Sequence, residues 1–171
     1  MKHILLGAAL ALTTALPGFA GEQYVDETGF AVSGYDVVAY RGLAQSPVGQ
    51  AQPEGVKGVA GITADYNGAT FAFASVENRD IFLSNPEHYA PQYDGHCAYG
   101  VSKGGKVPGN PNLWRIVDDK LYLNITKTVV GFWEEDIPGN ITSSDQNWVN
   151  IEAAPASTNT IPQWSSSAPL N

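Results

Sequence analysis

Alternating apolar and polar positions predict two β-hairpins in the middle of the chain. The first runs over residues 62–73 and turns at Asn67-Gly68, a pair that tolerates the positive backbone angles of a tight hairpin turn. The second runs over residues 113–123 and turns at residues 118–119, where two aspartates adjoin. In each hairpin the alternation places one face of the strands towards a core.

Short helices are predicted after each hairpin. Ser75 is suited to cap a helix that carries an apolar face and ends before Pro86, because the residue preceding a proline is disfavoured in helical geometry. Thr126 or Thr128 caps a second short helix, which ends at residues 138–139, a Pro-Gly pair.

Two hairpins with several short helices, and no repeating strand–helix–strand unit, predict an α+β fold in one compact domain. The core is expected to take most of its apolar area from six aromatic residues: Phe71, Phe73, Phe82, Trp114, Tyr122 and Trp133.

The first 20 residues predict a secretory signal peptide. Lys2 precedes a mainly apolar stretch over residues 4–16, and Gly18-Phe19-Ala20 offers small residues where a signal peptidase reads them. We therefore expect cleavage after Ala20 and export, and the compact form of the signal indicates a bacterial periplasm. No later segment approaches the ~20 apolar residues of a membrane span.

The rest of the chain divides into a domain over residues 21–152 and a tail over residues 153–171. The tail has three prolines, no charged side chain and mostly small polar residues, which predicts a flexible segment from which only Trp164 is suited to dock on the domain. Within the domain, the Gly-, Pro- and Gln-rich residues 42–58 predict a surface loop.

The charge balance restricts the class of partner. The chain carries 9 basic and 17 acidic residues, a formal net charge of −8. Nucleic acids and anionic membranes attract clustered Lys and Arg, so this balance argues against both. It suits a protein whose partners are neutral or cationic.

Cys97 is the only cysteine and the first candidate for chemistry. A lone thiol has no partner for an internal disulfide, so in an oxidising compartment it stays free, pairs between molecules, binds a metal or reacts. Flanking glycines and the adjacent His96 predict an accessible thiol with a pKa below the free value of ~8.5. The alternative is a small buried residue in a tight loop.

A metal site is a second possibility for the same loop. Cys97 with one or both of His96 and His88 offers donors that suit Cu(I), at one ion per chain. Zn(II) is expected to bind weakly, because two or three donors leave its tetrahedral site incomplete. For both histidines the alternative is a hydrogen-bonded imidazole without metal.

Two further groups of polar residues have structural alternatives. A Tyr-Asp pair over residues 35–36, with Tyr40, is suited to orient a substrate, or else forms part of the core with Asp36 capping a turn. The acidic residues 134–136 predict a solvated face. The sequence has no CxxC, HExxH, phosphate-binding glycine loop or dinucleotide fingerprint.

Several segments, in consistent order, resemble the YHS domain family, and specifically its exported branch that includes selenoproteins. The resemblance covers about residues 34–151 and is carried by residues 34–40, 66–75, 77–80, 85–93, 93–100, 116–124 and 147–148. It implies a reactive thiol, because some relatives carry selenocysteine at the position matching Cys97. Metal-binding YHS modules place cysteines in the strand-to-helix segment, where this chain has Phe73-Ala74-Ser75.

Two functional hypotheses follow. In the first, an exported protein performs thiol redox chemistry or soft-metal handling at Cys97, and an outside thiol or an unidentified redox partner completes the cycle. In the second, a non-enzymatic periplasmic module binds a partner or small ligand in an aromatic cleft, and the cysteine is buried and structural.

Overall fold

Two antiparallel hairpins and a set of α-helices make up the part of the chain that the computed structural model describes, residues 21–171. The predicted signal peptide lies outside these residues. In chain order the elements are β1 (Val59–Tyr66), β2 (Ala69–Phe73), α1 (Val76–Ser84), α2 (Pro86–Tyr89), α3 (Ala98–Ser102), β3 (Asn110–Val117), β4 (Lys120–Asn124), α4 (Lys127–Glu134) and α5 (Ile137–Ile151). The predicted α+β fold is confirmed.

Both hairpin turns form where the sequence predicts them. Asn67 and Gly68 have φ angles of 50° and 77°, and Asp118 and Asp119 have 48° and 62°. Two successive left-handed residues are typical of the two-residue turn whose twist matches that of the flanking strands. The hairpins form two separate two-stranded sheets.

The core is built around the first hairpin and α1. Phe82 lies with its ring centroid 5.0 Å from those of Phe71 and Phe73. A second apolar cluster, which includes Tyr122 and Trp133, lies where the second hairpin meets the later helices. All six aromatic residues predicted for the core are at most 3% exposed.

Side-chain caps fix the helix starts. Ser75 Oγ accepts from the Asn78 amide at 3.1 Å, and Thr126 Oγ1 accepts from the Val129 amide at 3.3 Å, as predicted for Ser75 and for one of the two threonines. The predicted end of the second helix at residues 138–139 is wrong: α4 ends at Glu134, and the Pro-Gly pair lies in the first turn of α5, where proline is tolerated. The sequence does not predict α5, because this segment is polar and has few strong helix formers. No helix in residues 21–171 has the length and apolar character needed to cross a membrane.

Residues 153–171, which we call the C-terminal strap, pack along the domain, and the predicted flexible tail is wrong. The Leu170 carbonyl accepts a hydrogen bond from the Ala60 amide, and the Leu170 amide donates to the Gly58 carbonyl, both at 2.7 Å. Ile161 and Ala168 are 5% and 6% exposed. The strap contains few apolar residues, and two of them, Ile161 and Ala168, are spaced so that both are buried, whereas Leu170 is 49% exposed and is held through its backbone.

Candidate functional site

The turn before Cys97 is unusually tight. Tyr93, Asp94 and Gly95 all have left-handed backbone angles, with φ of 56°, 53° and 78°. Non-glycine residues adopt this conformation at a cost, so the surrounding contacts must hold it. The backbone amide of His96 closes the turn by donating to the Tyr93 carbonyl at 2.9 Å.

His96 is buried and neutral, and its ring joins the tight turn to the C-terminal strap through two hydrogen bonds. Its Nδ1 donates to the Tyr93 carbonyl at 2.9 Å, and its Nε2 accepts from the Ser157 amide in the strap at 3.1 Å. Burial lowers the pKa of His96 and the positive charge of Lys106 adds to this effect, against the opposing hydrogen bond to the Tyr93 carbonyl, so that the pKa is about 4. The neutral tautomer with hydrogen on Nδ1 satisfies both bonds.

The thiol of Cys97 is fully buried, so the expectation of an accessible thiol is wrong. Its Sγ donates to Asn124 Oδ1 and accepts from the Gly100 amide, both at 3.4 Å, and thereby caps α3. Burial raises the pKa of Cys97, although neighbouring backbone amides partly oppose the increase. The predicted low pKa is therefore also wrong. Burial dominates because the thiol has no solvent contact.

The donors proposed for Cu(I) do not fit a metal. Both ring nitrogens of His96 already have hydrogen-bond partners. His88 instead contacts Asp119 in the turn of the second hairpin, with Nε2 3.4 Å from Oδ2. Residues 21–171 contain no group of three or more His, Cys, Asp or Glu side chains placed to hold a metal ion.

Asp36 caps a turn inside the core. Its Oδ1 accepts from the amides of Val38 and Ala39, and its Oδ2 accepts from the Ala74 amide and Asn78 Nδ2. Every lone-pair direction of this carboxylate is occupied. The neighbouring Tyr35 and Tyr40 are each 1% exposed, so the structural alternative for these three residues is confirmed.

A buried ion pair holds the loop over residues 42–58 against the second hairpin. Arg115 Nη2 lies 2.5 Å from Glu134 Oε1, and the two side chains are only 7% and 6% exposed. Arg115 also donates to the Ser46 carbonyl at 3.1 Å, and Glu134 Oε2 accepts from the Gly49 amide at 2.7 Å. The prediction that residues 134–136 form a solvated face is thus wrong for Glu134.

Further hydrogen bonds fix the same loop along β3. Trp114 Nε1 donates to the Pro53 carbonyl at 2.8 Å, and Asn112 Oδ1 accepts from the Gly55 amide at 2.9 Å. The loop therefore lies on the surface, as predicted, and hydrogen bonds fix it firmly to the domain. It forms one wall of a cleft.

That wall borders an open cleft of about 870 Å³. Residues 49–54 face the start of α4 across the cleft, and residues 162–164 of the strap contribute a third side. Its polar lining is rich in carboxamides and hydroxyls: Gln50, Gln52, Asn110, Asn112, Thr126, Thr128 and Gln163.

The cleft is lined by two tryptophans, Trp114 and Trp164, and has little net charge. Trp164 is half-buried, and its ring centroid lies 6.3 Å from that of the buried Tyr35. Of the carboxylates that line the cleft, Glu134 pairs with Arg115, and Glu54 lies 3.8 Å from the Lys57 ammonium. Lys127 adds a positive charge at the start of α4.

Comparisons of the chain with models of protein families, with curated proteins and with solved structures found no match. The resemblance to the YHS domain family therefore stays a prediction from the sequence. No feature of the sequence indicated the cleft, because its three sides come from segments far apart in the chain. The sequence predicts other roles for the cleft residues that it singles out: docking on the domain for Trp164, a core position for Trp114, and helix capping for Thr126 or Thr128.

Proposed function

We propose that this protein is a non-enzymatic binding module whose ligand occupies the cleft beside Trp164. The observation that carries the proposal is the cleft itself. Its volume of about 870 Å³ falls in the range of ~300–1,000 Å³ typical of small-molecule sites. The hydrogen bonds that hold residues 46–55 to Arg115, Asn112 and Trp114 support a site that exists before the ligand arrives.

The lining favours a small, largely uncharged, polar ligand with one flat apolar face, such as a sugar. Carboxamides both donate and accept hydrogen bonds, and so suit hydroxyl or amide groups on the ligand. Gln50 and Gln163 are the carboxamides best placed for this, because Gln52 already bonds to Ser46 and Asn112 to the Gly55 amide. The indole of Trp164 offers a rigid apolar surface for a ring. Because the carboxylates of the cleft are already paired, a strongly cationic ligand gains little there.

In this proposal Cys97 has a structural role. Its thiol caps α3 and contacts Asn124, and burial raises its pKa, which disfavours the thiolate that redox chemistry requires. Thiol redox chemistry therefore has less support than ligand binding. Export to the periplasm remains part of the proposal on the strength of the predicted signal peptide.

A ligand screen tests the proposal. The purified protein is screened by thermal shift against sugars, amino acids and short neutral peptides, and each compound that raises Tm is titrated by tryptophan fluorescence. We expect Trp164→Ala to weaken binding by about 5- to 150-fold, since the stacking of a ring on an aromatic side chain contributes ~1–3 kcal/mol. Trp148→Phe, which changes a tryptophan outside the cleft, should leave the affinity unchanged.

Two results would count against the proposal. One is a ligand whose affinity is the same in Trp164→Ala and in the wild-type protein. The other is a ligand whose binding is abolished by Cys97→Ser in a variant that still folds.

A further inference from the structure

The first described residue, Gly21, lies against a carboxylate. A Cβ placed on Gly21 would come within 2.3 Å of Asp94 Oδ2 and 2.6 Å of the Glu152 carbonyl oxygen. Gly21 Cα is therefore within about 4 Å of that carboxylate oxygen, since a carbon–carbon bond adds only ~1.5 Å. No side chain fits between Gly21 and these two acceptors.

The carboxylate oxygen that Gly21 approaches has no partner. Asp94 Oδ1 accepts from Gln23 Nε2 at 2.7 Å, whereas Oδ2 is buried and has no hydrogen bond within residues 21–171. A buried acceptor without a donor costs free energy, more so when it is charged. Asp94 Oδ2 thus lacks a donor, and a cationic donor suits it best.

The charged groups around Asp94 leave room for such a cation. Glu152 is a second acid close enough to raise the pKa of Asp94, which burial and this charge together bring to about 6. Lys106 is the nearby base, but its Nζ donates to the carbonyls of Glu152 and Ala154, at 2.7 and 2.6 Å. Glu22 also faces Lys106. Three carboxylates, those of Asp94, Glu152 and Glu22, therefore surround a single basic side chain, that of Lys106.

Hydrogen bonds hold the start of the domain in this position. Asn67 Nδ2 donates to the Gly21 carbonyl at 2.8 Å, and the Tyr24 amide donates to the Asp94 carbonyl at 2.8 Å. The segment that begins at Gly21 is thus fixed to the turn that carries Asp94. The sequence independently predicts that signal peptidase cuts the bond immediately before it.

We propose that this corner is a binding site for the protein's own processed amino terminus. Signal peptidase hydrolyses the Ala20–Gly21 bond: water gives its oxygen to the Ala20 carboxylate, and the Gly21 nitrogen becomes an ammonium group at neutral pH. That ammonium, free to turn about the Cα–C bond of Gly21, pairs with the Asp94 carboxylate and donates to the Glu152 carbonyl. Cleavage of the signal peptide then stabilises the folded domain, because it creates the ammonium group that pairs with Asp94.

The site also accounts for glycine at this position. Any larger residue at position 21 would place its Cβ where Asp94 and Glu152 leave no space. The inference rests on the predicted cleavage site and is independent of the ligand that the cleft binds.

The test uses the full precursor, expressed in a bacterium that exports it, with the mature protein purified from the periplasm. Mass spectrometry identifies the first residue, and NMR of the Gly21 α-amino group gives its pKa. We expect the chain to begin at Gly21 and the pKa to lie at least about one unit above the ordinary ~7.7–8.0. Asp94→Asn should return the pKa to that ordinary range.

Two controls separate pairing from general destabilisation. Asp145→Asn removes another carboxylate from the same region, one that accepts from Tyr93 Oη at 2.8 Å, and should leave the α-amino pKa raised. A precursor with one extra glycine between Ala20 and Gly21 moves the ammonium away from Asp94. We expect its mature form to have a Tm about 2–6 °C lower, and this difference should vanish in the Asp94→Asn background.

A mature chain that begins at another residue would overturn the inference. So would an α-amino pKa in the ordinary range, or an inserted glycine that leaves Tm unchanged. The insertion variant keeps the test decisive if Asp94→Asn does not fold.

Discussion

At residue scale, the burial of Cys97 determines both its accessibility and its chemistry. The thiol has 0% exposure and hydrogen bonds to Asn124 and Gly100. A buried thiol reacts only when the structure around it opens, so its labelling rate reports on opening rather than on the reactivity of a thiolate.

We therefore predict that iodoacetamide labels native Cys97 slowly at pH 7 and reaches the rate of a free thiol only in denaturant. Mass spectrometry after timed quenching measures the modified fraction. Cys97→Ala should lower the free energy of unfolding by about 1–3 kcal/mol, because the Gly100 amide loses its acceptor and a small cavity forms. Fast labelling of the folded protein below neutral pH would instead restore thiol chemistry as the leading hypothesis.

His96 leads to a prediction about pH. Its pKa is about 4 in the folded protein against 6.5 in the unfolded chain, so between these values the unfolded state binds more protons. The contribution of His96 to the free energy of unfolding is therefore fully present above pH 6.5 and is lost as the pH falls towards 4. The loss is about 3 kcal/mol at most. An unpaired Asp94 acts in the opposite direction, because burial and the charge of Glu152 raise its pKa to about 6.

The contribution of His96 is therefore measured in the Asp94→Asn background, by urea unfolding at pH 7 and pH 4.5. Asp94→Asn should lose more stability between these pH values than Asp94→Asn combined with His96→Gln. Equal losses in the two variants would mean that His96 titrates normally in the folded protein.

At the scale of elements, the C-terminal strap is the largest departure from expectation. Its polar, proline-rich composition predicts disorder, yet Ile161 and Ala168 reach the core and Ser157 donates to His96. A few well-placed apolar contacts, with backbone hydrogen bonds at Leu170, are enough to hold an extended segment.

A pair of adjacent substitutions tests whether the strap is packed. Ile161→Ala should lower the free energy of unfolding by about 2–4 kcal/mol, as is typical of a buried isoleucine. Thr160→Ala, at the exposed neighbouring position, should change it by less than about 0.5 kcal/mol. Urea denaturation measures both values. If both substitutions are neutral, the strap is as mobile as its composition suggests.

The elements that the sequence predicts well are those fixed by local chemistry. Asn67-Gly68 defines the first turn because those residues tolerate positive φ, and Ser75 starts α1 because its hydroxyl satisfies a free amide. By contrast, α5 forms from a polar sequence, capped by Asp136 and held by packing against α3. Its stability comes from tertiary contacts that no local pattern contains.

At the scale of the whole molecule, the candidate site is non-local, and for that reason the sequence does not predict it. Glu134 lies in an acidic run that suggests solvent exposure, and only the fold brings Arg115 to it. Burial of Cys97 likewise depends on Asn124, 27 residues further along the chain. The sequence therefore predicts the framework of the domain, whereas the position of its cleft depends on long-range contacts.

The central claim is that the ligand binds in the cleft beside Trp164 and away from Cys97. The most direct measurement is a two-dimensional ¹H–¹⁵N NMR titration of the mature protein with the compound that gives the largest thermal shift. We predict that the largest amide shifts fall at residues 49–54 and 126–128, with the Trp164 indole, while those of α3 stay small. Large shifts confined to α3 and Cys97, with residues 49–54 unchanged, would contradict the claim.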